Sequence, residues 1–580
     1  MTETNVTGTR CWCLGFRDRP AWKRRETQQR PMVSSIECDA VNGPLYDVRS
    51  GSSLGVQRTT ARKGHRTQEN RRLELDVPNR QCLGGAGRLN AVQQRWLSLV
   101  FGVIIAGNVA AQTPTLNGQR MGGYQGIWFT LGQFYGKGND GQPYGKASRK
   151  PVFPYGDKYS GGLGTYTAKH TPLAIYCPQV DKTFFVYGGT TAPNQRHLLC
   201  MISYYDHASN RVPKPVVVHD KQTVNDPHDN PSIAIDDAGY LWVFVSGRGR
   251  VRPGFKYKSV KPYSIDGFEL ISEEEMTYPQ PHHVSGEGFL HLFTKYTGVR
   301  ELYWETSDDG VTWTADQKLA GIREPGDSRG GHYQTSATRG DVTGTFFNRH
   351  PNGVVDQRTD VYYVQTRDRG QTWTTIDGTP IQPPLQDVVS PARVIDYASQ
   401  KLNVYLKDMG FDRDGHPVLL YVTSPGHEPG PPNDPRQFRV TRWDGQTWKT
   451  SVICGTDHNY DMGSLYLDGE RWACRIPSES GPQPYQGGGE LVTWTSADQG
   501  ATWQRETQIT SGSERNHNYA RRPMGANDPF FVFWADGDPT KLSESHLYFA
   551  DSTGKRVWEL PYEMDGEFAT PVQVKAPVEE

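Results

Sequence analysis

An eight-residue pattern, Ser/Thr-x-Asp-x-Gly-x-Thr-Trp, occurs three times in this chain of 580 residues, at 306–313, 366–373 and 496–503. Each copy follows strand formers: Leu302-Tyr303-Trp304, Val361-Tyr362-Tyr363-Val364 and Leu491-Val492-Thr493-Trp494. An Asp carboxylate can accept from turn amides, a Gly can take positive φ, and the Thr-Trp pair can re-enter a strand with the indole beneath the turn. The pattern is therefore that of a hairpin with its own clasp. Three copies at one spacing restrict the chain to a fold built from repeated antiparallel hairpins. Their separations correspond to one and then two units of roughly 60–70 residues, the size of a four-stranded blade.

The rest of the chain has the same texture. Gly (62), Pro (40), Tyr (29) and Trp (15) are plentiful, which suits short strands and tight turns. Runs such as Thr183-Phe184-Phe185-Val186-Tyr187, Tyr240-Leu241-Trp242-Val243-Phe244-Val245 and Val418-Leu419-Leu420-Tyr421-Val422 alternate with Gly, Pro, Asn and Asp from about 123 to 571. No stretch carries a long, capped helical stripe. The expectation is an all-β chain: a six- or seven-bladed β-propeller of four-stranded antiparallel blades. Degenerate clasps at 236–242 and 443–448 add to it. Gln125-Gly126-Ile127-Trp128-Phe129 is expected to close the ring by joining the last strands near Leu547-Tyr548-Phe549. A formal net charge of −1 argues against general nucleic-acid binding.

Residues 1–94 differ. They are rich in Arg and aperiodic, which reads as a disordered extension or as sequence translated from a start chosen too early. Arg95 then precedes an apolar run to Gly107 and the small-residue exit Ala110-Ala111, so 95–111 reads as a signal peptide. The run is too short for a comfortable membrane span. The expected mature protein is a single propeller over 112–580, periplasmic or secreted, monomeric and free of the membrane. Cys177 with Cys200, and Cys454 with Cys474, are then either cross-strand disulfides or free buried thiols. No CxxC pair remains for a zinc knuckle.

Propeller ligands sit on loops at one end of the central channel. The loops away from the clasps repeat His, Tyr and Arg: His170, Asn225-Asp226-Pro227-His228, Ser246-Gly247-Arg248-Gly249-Arg250, Tyr278, Arg300, His332-Tyr333, His350, His458-Asn459-Tyr460. That combination suits a uronate lyase. Arg neutralises the substrate carboxylate, His or Tyr removes the adjacent C5 proton, and Tyr or His protonates the departing oxygen. His with Asp or Asn could instead hold a cation, and a structural divalent ion is left open. For each residue alone, a hydrogen-bonded loop role is the plainer explanation.

The octets resemble the Asp box of sialidase-type propellers, a structural device. The stretch from His170 through Trp313 resembles the BNR-4 repeat family, which includes ulvan lyases. The resemblance rests on His228-Asp229-Asn230-Pro231-Ser232, Gly239-Tyr240-Leu241-Trp242-Val243-Phe244, Thr277-Tyr278-Pro279 and Arg300-Glu301-Leu302-Tyr303-Trp304. It implies catalytic roles for His228, Tyr278, Arg300 and Tyr333. The family's second His is absent; Arg248 falls near its place and is the fifth expected catalytic residue, assisting or replacing that His. His170, Arg250, Tyr257, His332, His350, His458 and Tyr460 are the expected substrate-binding residues, for an acidic polysaccharide or oligosaccharide. A sialidase-like hydrolase and a non-catalytic glycan-binding propeller are the alternatives. Arg475-Ile476-Pro477 matches a sialidase motif but lies between the second and third octets, out of order.

Overall fold

The computed structural model describes residues 115–130 and 153–574, apart from 168, 194, 196, 223, 251, 468 and 470. The expected extension and signal peptide lie outside the described residues. What is described is a seven-bladed β-propeller of antiparallel sheets with almost no helix.

Blade 1 is built from Ala174–Cys177, Lys182–Gly189, Leu199–Asp206 and Val216–Asp220. Blades 2 to 7 follow in order over 231–274, 277–320, 334–395, 403–456, 464–508 and 516–574. From blade 1 to blade 6 the first strand of each blade packs against the first strand of the next, so these strands line the centre. Middle strands are covered on both faces by adjacent blades, and Leu241–Val245 and Thr359–Thr366 are buried throughout. Outer strands such as Phe268–Glu274 are largely open to solvent. Each seam between blades has its own apolar core. Leu290, Trp304, Phe347 and Tyr362 fill the seam of blades 3 and 4, and Phe346, Tyr363, Leu406 and Tyr421 that of blades 4 and 5. Burial of such side chains, at about 25 cal/mol per Å² of apolar surface, is the main force holding the ring.

Ring closure departs from the expectation. Blade 7 takes its outer strands from Val557–Glu559 and Val572–Val574, because the chain runs on far enough past Ala550 to supply them. The segment around Gln125 instead runs along the seam between blades 7 and 1. Gly126 N–H donates to Ser545 O (3.0 Å) and Ile127 N–H to Gly188 O (2.9 Å). Trp128–Thr130 pairs with Ser160–Gly162. Two further ties close the circle: Met524 bridges Ile175, and Phe568–Ala569 pairs with Val212–Pro213.

The octets are the turns between the third and fourth strands of blades 3, 4 and 6. At 366–373, Thr366 Oγ1 accepts from Gly370 N (2.8 Å) and Asp368 Oδ1 from Thr372 N (2.8 Å). Ser496, Gly500, Asp498 and Thr502 repeat this at 2.7 and 2.8 Å. The first copy slips by one residue: Ser307 Oγ accepts from Gly310 N (2.7 Å), and Asp309 accepts from Val311 N (2.8 Å) and Thr312 N (2.7 Å). Asp308, at the expected acceptor position, points outward to Arg369 (2.8 Å). The turn at 443–448 is a true counterpart, whereas 236–242 joins the first two strands of blade 2. The four cysteines among the described residues are free thiols, and no cross-strand disulfide forms. Among the described residues no helix is long and apolar enough to cross a membrane.

Candidate functional site

Antiparallel order decides which loops can meet. The clasp turns share one end of the ring with the turns between first and second strands. Loops leading into first strands share the other end with the loops between second and third strands. A basin of about 730 Å³, including the space open to solvent, lies at this second end and is lined by Tyr159, Tyr166, Lys169, His228, Arg248, Arg300, Tyr333, Arg358, Lys407 and Tyr460 among others.

Two irregularities bring aromatic rings beneath it. The first strand of blade 3 shifts register between Thr277 and Gln280, and that of blade 7 between Asn518 and Arg521. Tyr278 and Tyr519 sit inside these bulges with φ of 56° and 55°. A bulge re-aims a side chain, and the left-handed backbone it needs costs about 1–2 kcal/mol for a bulky residue. The Tyr278 ring thereby packs 5.5 Å from Tyr333, 5.6 Å from His170 and 6.0 Å from His228. Tyr519 packs 5.1 Å from Tyr166.

The loop before blade 2 supplies the charged centre. Asp226 accepts from His228 N (3.1 Å), and its Oδ1 lies 2.5 Å from His228 Nδ1. Its Oδ2 accepts from Arg248 Nη1 (2.8 Å) and Arg252 Nη2 (2.7 Å). Arg252 Nη2 also donates to Asp229 Oδ1 (2.7 Å), and Lys221 Nζ lies 3.1 Å from Asp229 Oδ2. Burial opposes ionisation of Asp226, but His228, Arg248 and Arg252 hold its carboxyl well below the usual range. Burial pushes His228 down, reinforced by Arg248 against the pull of Asp226. An ionised Asp226 beside a neutral imidazole assigns the proton to Nδ1 and leaves Nε2 as an acceptor. Tyr166 Oη is 3.1 Å from that Nε2.

Arginines face this centre. The Arg300 guanidinium lies 5.4 Å from the Tyr296 ring and 5.8 Å from the Tyr333 ring, with no carboxylate partner among the described residues. Arg358 lies over Tyr405 (4.3 Å) and Tyr333 (4.9 Å) and donates to Tyr460 Oη (3.0 Å). Burial pushes the Tyr333 hydroxyl up. Arg300, Arg358, the Tyr278 hydroxyl and Arg248 outweigh it, and Tyr333 titrates below an ordinary tyrosine. Burial, with Arg358 adding to it against Asp461, lowers Lys407 to about 7. The arginines therefore carry most of the positive field. Asp356, paired with Lys158, is the one carboxylate among the lining residues.

His228, Arg248, Tyr278, Arg300 and Tyr333 thus converge, and Tyr460 lines the same basin. His350 packs behind Tyr333 at 4.9 Å. His170 is buried below, its Nε2 2.7 Å from His228 O. His458 accepts from Tyr460 N–H (3.1 Å) and orders that loop. His332 is held between Ile322 N (3.0 Å) and Asn348 O (2.8 Å). Tyr257 pairs with His219 (2.7 Å) in the seam of blades 1 and 2, and Arg250 extends into solvent toward Glu275. Arg475 lies over Tyr466 (4.2 Å), outside the basin lining.

Sequence reasoning passed over Tyr159, Tyr166, Arg252, Arg358 and Lys407. Asp226, two residues before His228, carried the best available signal. Among the described residues, two acidic groups have cation-holding spacing. Asp412, Asp414 and His416 form a turn at the clasp end, where Asp412 Oδ1 already accepts from Asp414 N and His416 N. Lys256 Nζ sits against Glu274 (2.6 Å) and Glu305 (2.7 Å) in the other group, which includes Asp316.

The BNR repeat-containing family model matches residues 184–454, a stretch that includes all five residues expected to be catalytic. An ulvan lyase of Nonlabens ulvanivorans is 23% identical over 256 residues, 39% of this chain and 54% of that protein. An ulvan lyase of Alteromonas sp. (strain LOR) is 22% identical over 253 residues, 38% of this chain and 52% of that protein. These matches span about half the length of either relative. A solved structure of a PL25 ulvan lyase superposes with a TM-score of 0.56 at 17% identity, covering 68% of this chain and 95% of that one. This chain is a seven-bladed propeller that resembles the BNR-repeat family and its ulvan lyases. Within this propeller, Tyr159, Tyr166, Tyr460 and Tyr519 fall outside the matched stretch. Tyr333 and Tyr405, the other tyrosines of the lining, fall inside it.

Proposed function

We propose that this propeller is a polysaccharide lyase that cleaves a uronate-containing glycan by β-elimination. One observation carries the reading: Arg300, half-buried and without a carboxylate partner among the described residues, faces Tyr333 beside the Asp226–His228 pair. A uronate carboxylate against Arg300 gains a charge-assisted partner and acidifies its C5 proton. The Asp226–His228 pair is the base toward which that proton is drawn, and Tyr333, made more acidic by its arginines, protonates the departing glycosidic oxygen. Arg248 occupies the place of the missing second His and holds Asp226 ionised. The names of the relatives support the same reading.

A glycosidase would need two carboxyl groups flanking the scissile bond. Asp356 and the sealed Asp226 do not supply that pair. The decisive measurement is ultraviolet absorbance of unsaturated uronate ends on a panel of acidic glycans. Reducing ends released without that absorbance would establish a hydrolase, and binding without cleavage a glycan-binding module. On this reading the chain acts on a polysaccharide outside the cytoplasm, with the leader removed near Ala111. N-terminal sequencing of exported protein tests that placement.

A further inference from the structure

Neither nitrogen of His228 faces open space. Nδ1 is held by Asp226 at 2.5 Å, Nε2 meets the Tyr166 hydroxyl at 3.1 Å, and the residue is 3% exposed. Tyr166 is on the basin wall. His228 lines the basin as well, but its acceptor nitrogen is engaged by this hydroxyl, so a substrate proton bound for Nε2 has to be relayed by the hydroxyl or displace it.

We propose that Tyr166 is itself a catalytic residue, the group that takes the C5 proton, with His228 and Asp226 behind it as the relay and Arg252 as a positioning residue. The proposal rests on the lyase reading above. Its logic is that of an activated nucleophile: a hydroxyl, a histidine that accepts its proton, and a buried carboxylate that orients the imidazole and stabilises the imidazolium.

The surroundings fit that division of labour. Tyr166 is enclosed by aromatic rings, Tyr159 at 5.6 Å and Tyr519 at 5.1 Å, with its Oη turned to His228. Burial and the neighbouring tyrosines push its hydroxyl well above an ordinary tyrosine, so it does not ionise unaided and must hand its proton on as it accepts another. Behind Asp226, charge alternates along a line of two buried aspartates, a half-buried arginine and a buried lysine. Arg252 bridges Asp226 and Asp229, each at 2.7 Å, and Asp229 meets Lys221 at 3.1 Å. Truncating a member of such a line leaves a buried charge unpaired. The line fixes Asp226, hence the imidazole plane, hence Nε2 against Tyr166.

The step balances without an external reagent. As the C5–H bond breaks, its proton moves to Tyr166 Oη while the original Tyr166 proton moves to His228 Nε2. The C–H electron pair forms the C4–C5 double bond, and the C4–O4 bond breaks with its pair on oxygen. That oxygen takes the proton of Tyr333. The imidazolium proton then returns through Tyr166 and solvent to Tyr333, and the site is restored.

The test compares wild type, Tyr166→Phe, His228→Gln and the double variant in the full chain. Unsaturated-end formation and binding of the same acidic glycan are both measured. Phe keeps the ring packing and removes only the hydroxyl. The expectation is a fall in kcat on the order of 10²–10⁴-fold for Tyr166→Phe, the usual size of a lost acid–base group, with glycan affinity held within a few-fold. The double variant should be no slower than the worse single variant, because groups acting as a unit are non-additive. Arg252→Gln should move the acid limb of kcat to higher pH, since removing that cation lets His228 protonate more readily. A folding check by thermal melting accompanies each variant. If wild type makes unsaturated ends and Tyr166→Phe turns over within a few-fold of it, this inference is overturned while the lyase reading stands. If wild type makes none on any acidic glycan, both fall.

Discussion

Asp226 Oδ1 lies 2.5 Å from Nδ1 of His228, and the carboxylate has no exposed surface. Its other oxygen holds two guanidinium groups, so one buried anion orders a histidine and two arginines together. Asp226→Asn keeps the shape and removes the charge. It should destabilise the protein by about 1–3 kcal/mol, because the half-buried Arg248 loses its counter-charge and Arg252 is left with Asp229 alone. Denaturant unfolding checks this; a loss under 1 kcal/mol would mean that water replaces the carboxylate.

Stability should fall with acid earlier than carboxylate titration alone predicts. Burial lowers His170, His282 and His458 to about 3 and His332 to about 4. The unfolded chain binds protons at these histidines from about pH 6.5 downward while the folded chain does not. Stability contributed by the neutral rings is thus complete above pH 6.5 and is lost as pH falls toward 4. Each histidine costs about 1.4 kcal/mol per pH unit in that window. Melting temperature measured from pH 8 to pH 4 should decline from near 6.5; a flat curve down to pH 5 would contradict the assignment.

Arg300 should control affinity for acidic glycans in particular. Arg300→Gln removes the unpaired guanidinium and spares the Tyr296 and Tyr333 rings. Loss of one charge-assisted partner corresponds to about 1.5–3 kcal/mol, or roughly a 10- to 150-fold weaker Kd for a uronate-bearing oligosaccharide. Calorimetry with charged and neutral oligosaccharides separates this from a general loss of the site, since neutral ligands should bind as before.

Tyr333 should set an alkaline limb. A proton donor must be protonated, so activity falls as pH rises through its pKa, which lies below that of an ordinary tyrosine. Arg358→Gln removes one of the groups lowering it and should move the limb to higher pH. Tyr333→Phe should abolish turnover. An alkaline limb unmoved by Arg358→Gln would assign the donor to another group.

The three octets look alike in sequence but should not respond alike. Asp368→Ala removes an acceptor serving Thr372 through both its amide and its hydroxyl, and should cost about 1–2 kcal/mol. In the first copy Asp309→Ala should destabilise more than Asp308→Ala, because Asp309 holds the turn amides while Asp308 faces solvent. Thermal melts of the three variants order them; equal losses at Asp308 and Asp309 would contradict the slipped clasp.

The pattern of the chain was enough for the architecture, because clasp turns and short aromatic strands are local devices: a carboxylate two or four residues from the amide it binds works wherever the hairpin forms. The same locality made His228, Arg248, Tyr278, Arg300 and Tyr333 visible on loops at the right end. What no local pattern contains is which loops face each other across a ring. Tyr166 meets His228 from 62 positions away, and Arg358 meets Tyr460 from 102. His170 and Tyr257, identical in type to useful site residues, ended beneath the floor and inside a seam. Sequence fixes side-chain chemistry and hairpin register through neighbours a few bonds apart. Blade closure alone decides which of those side chains share a basin, because that depends on seven seams packing at once.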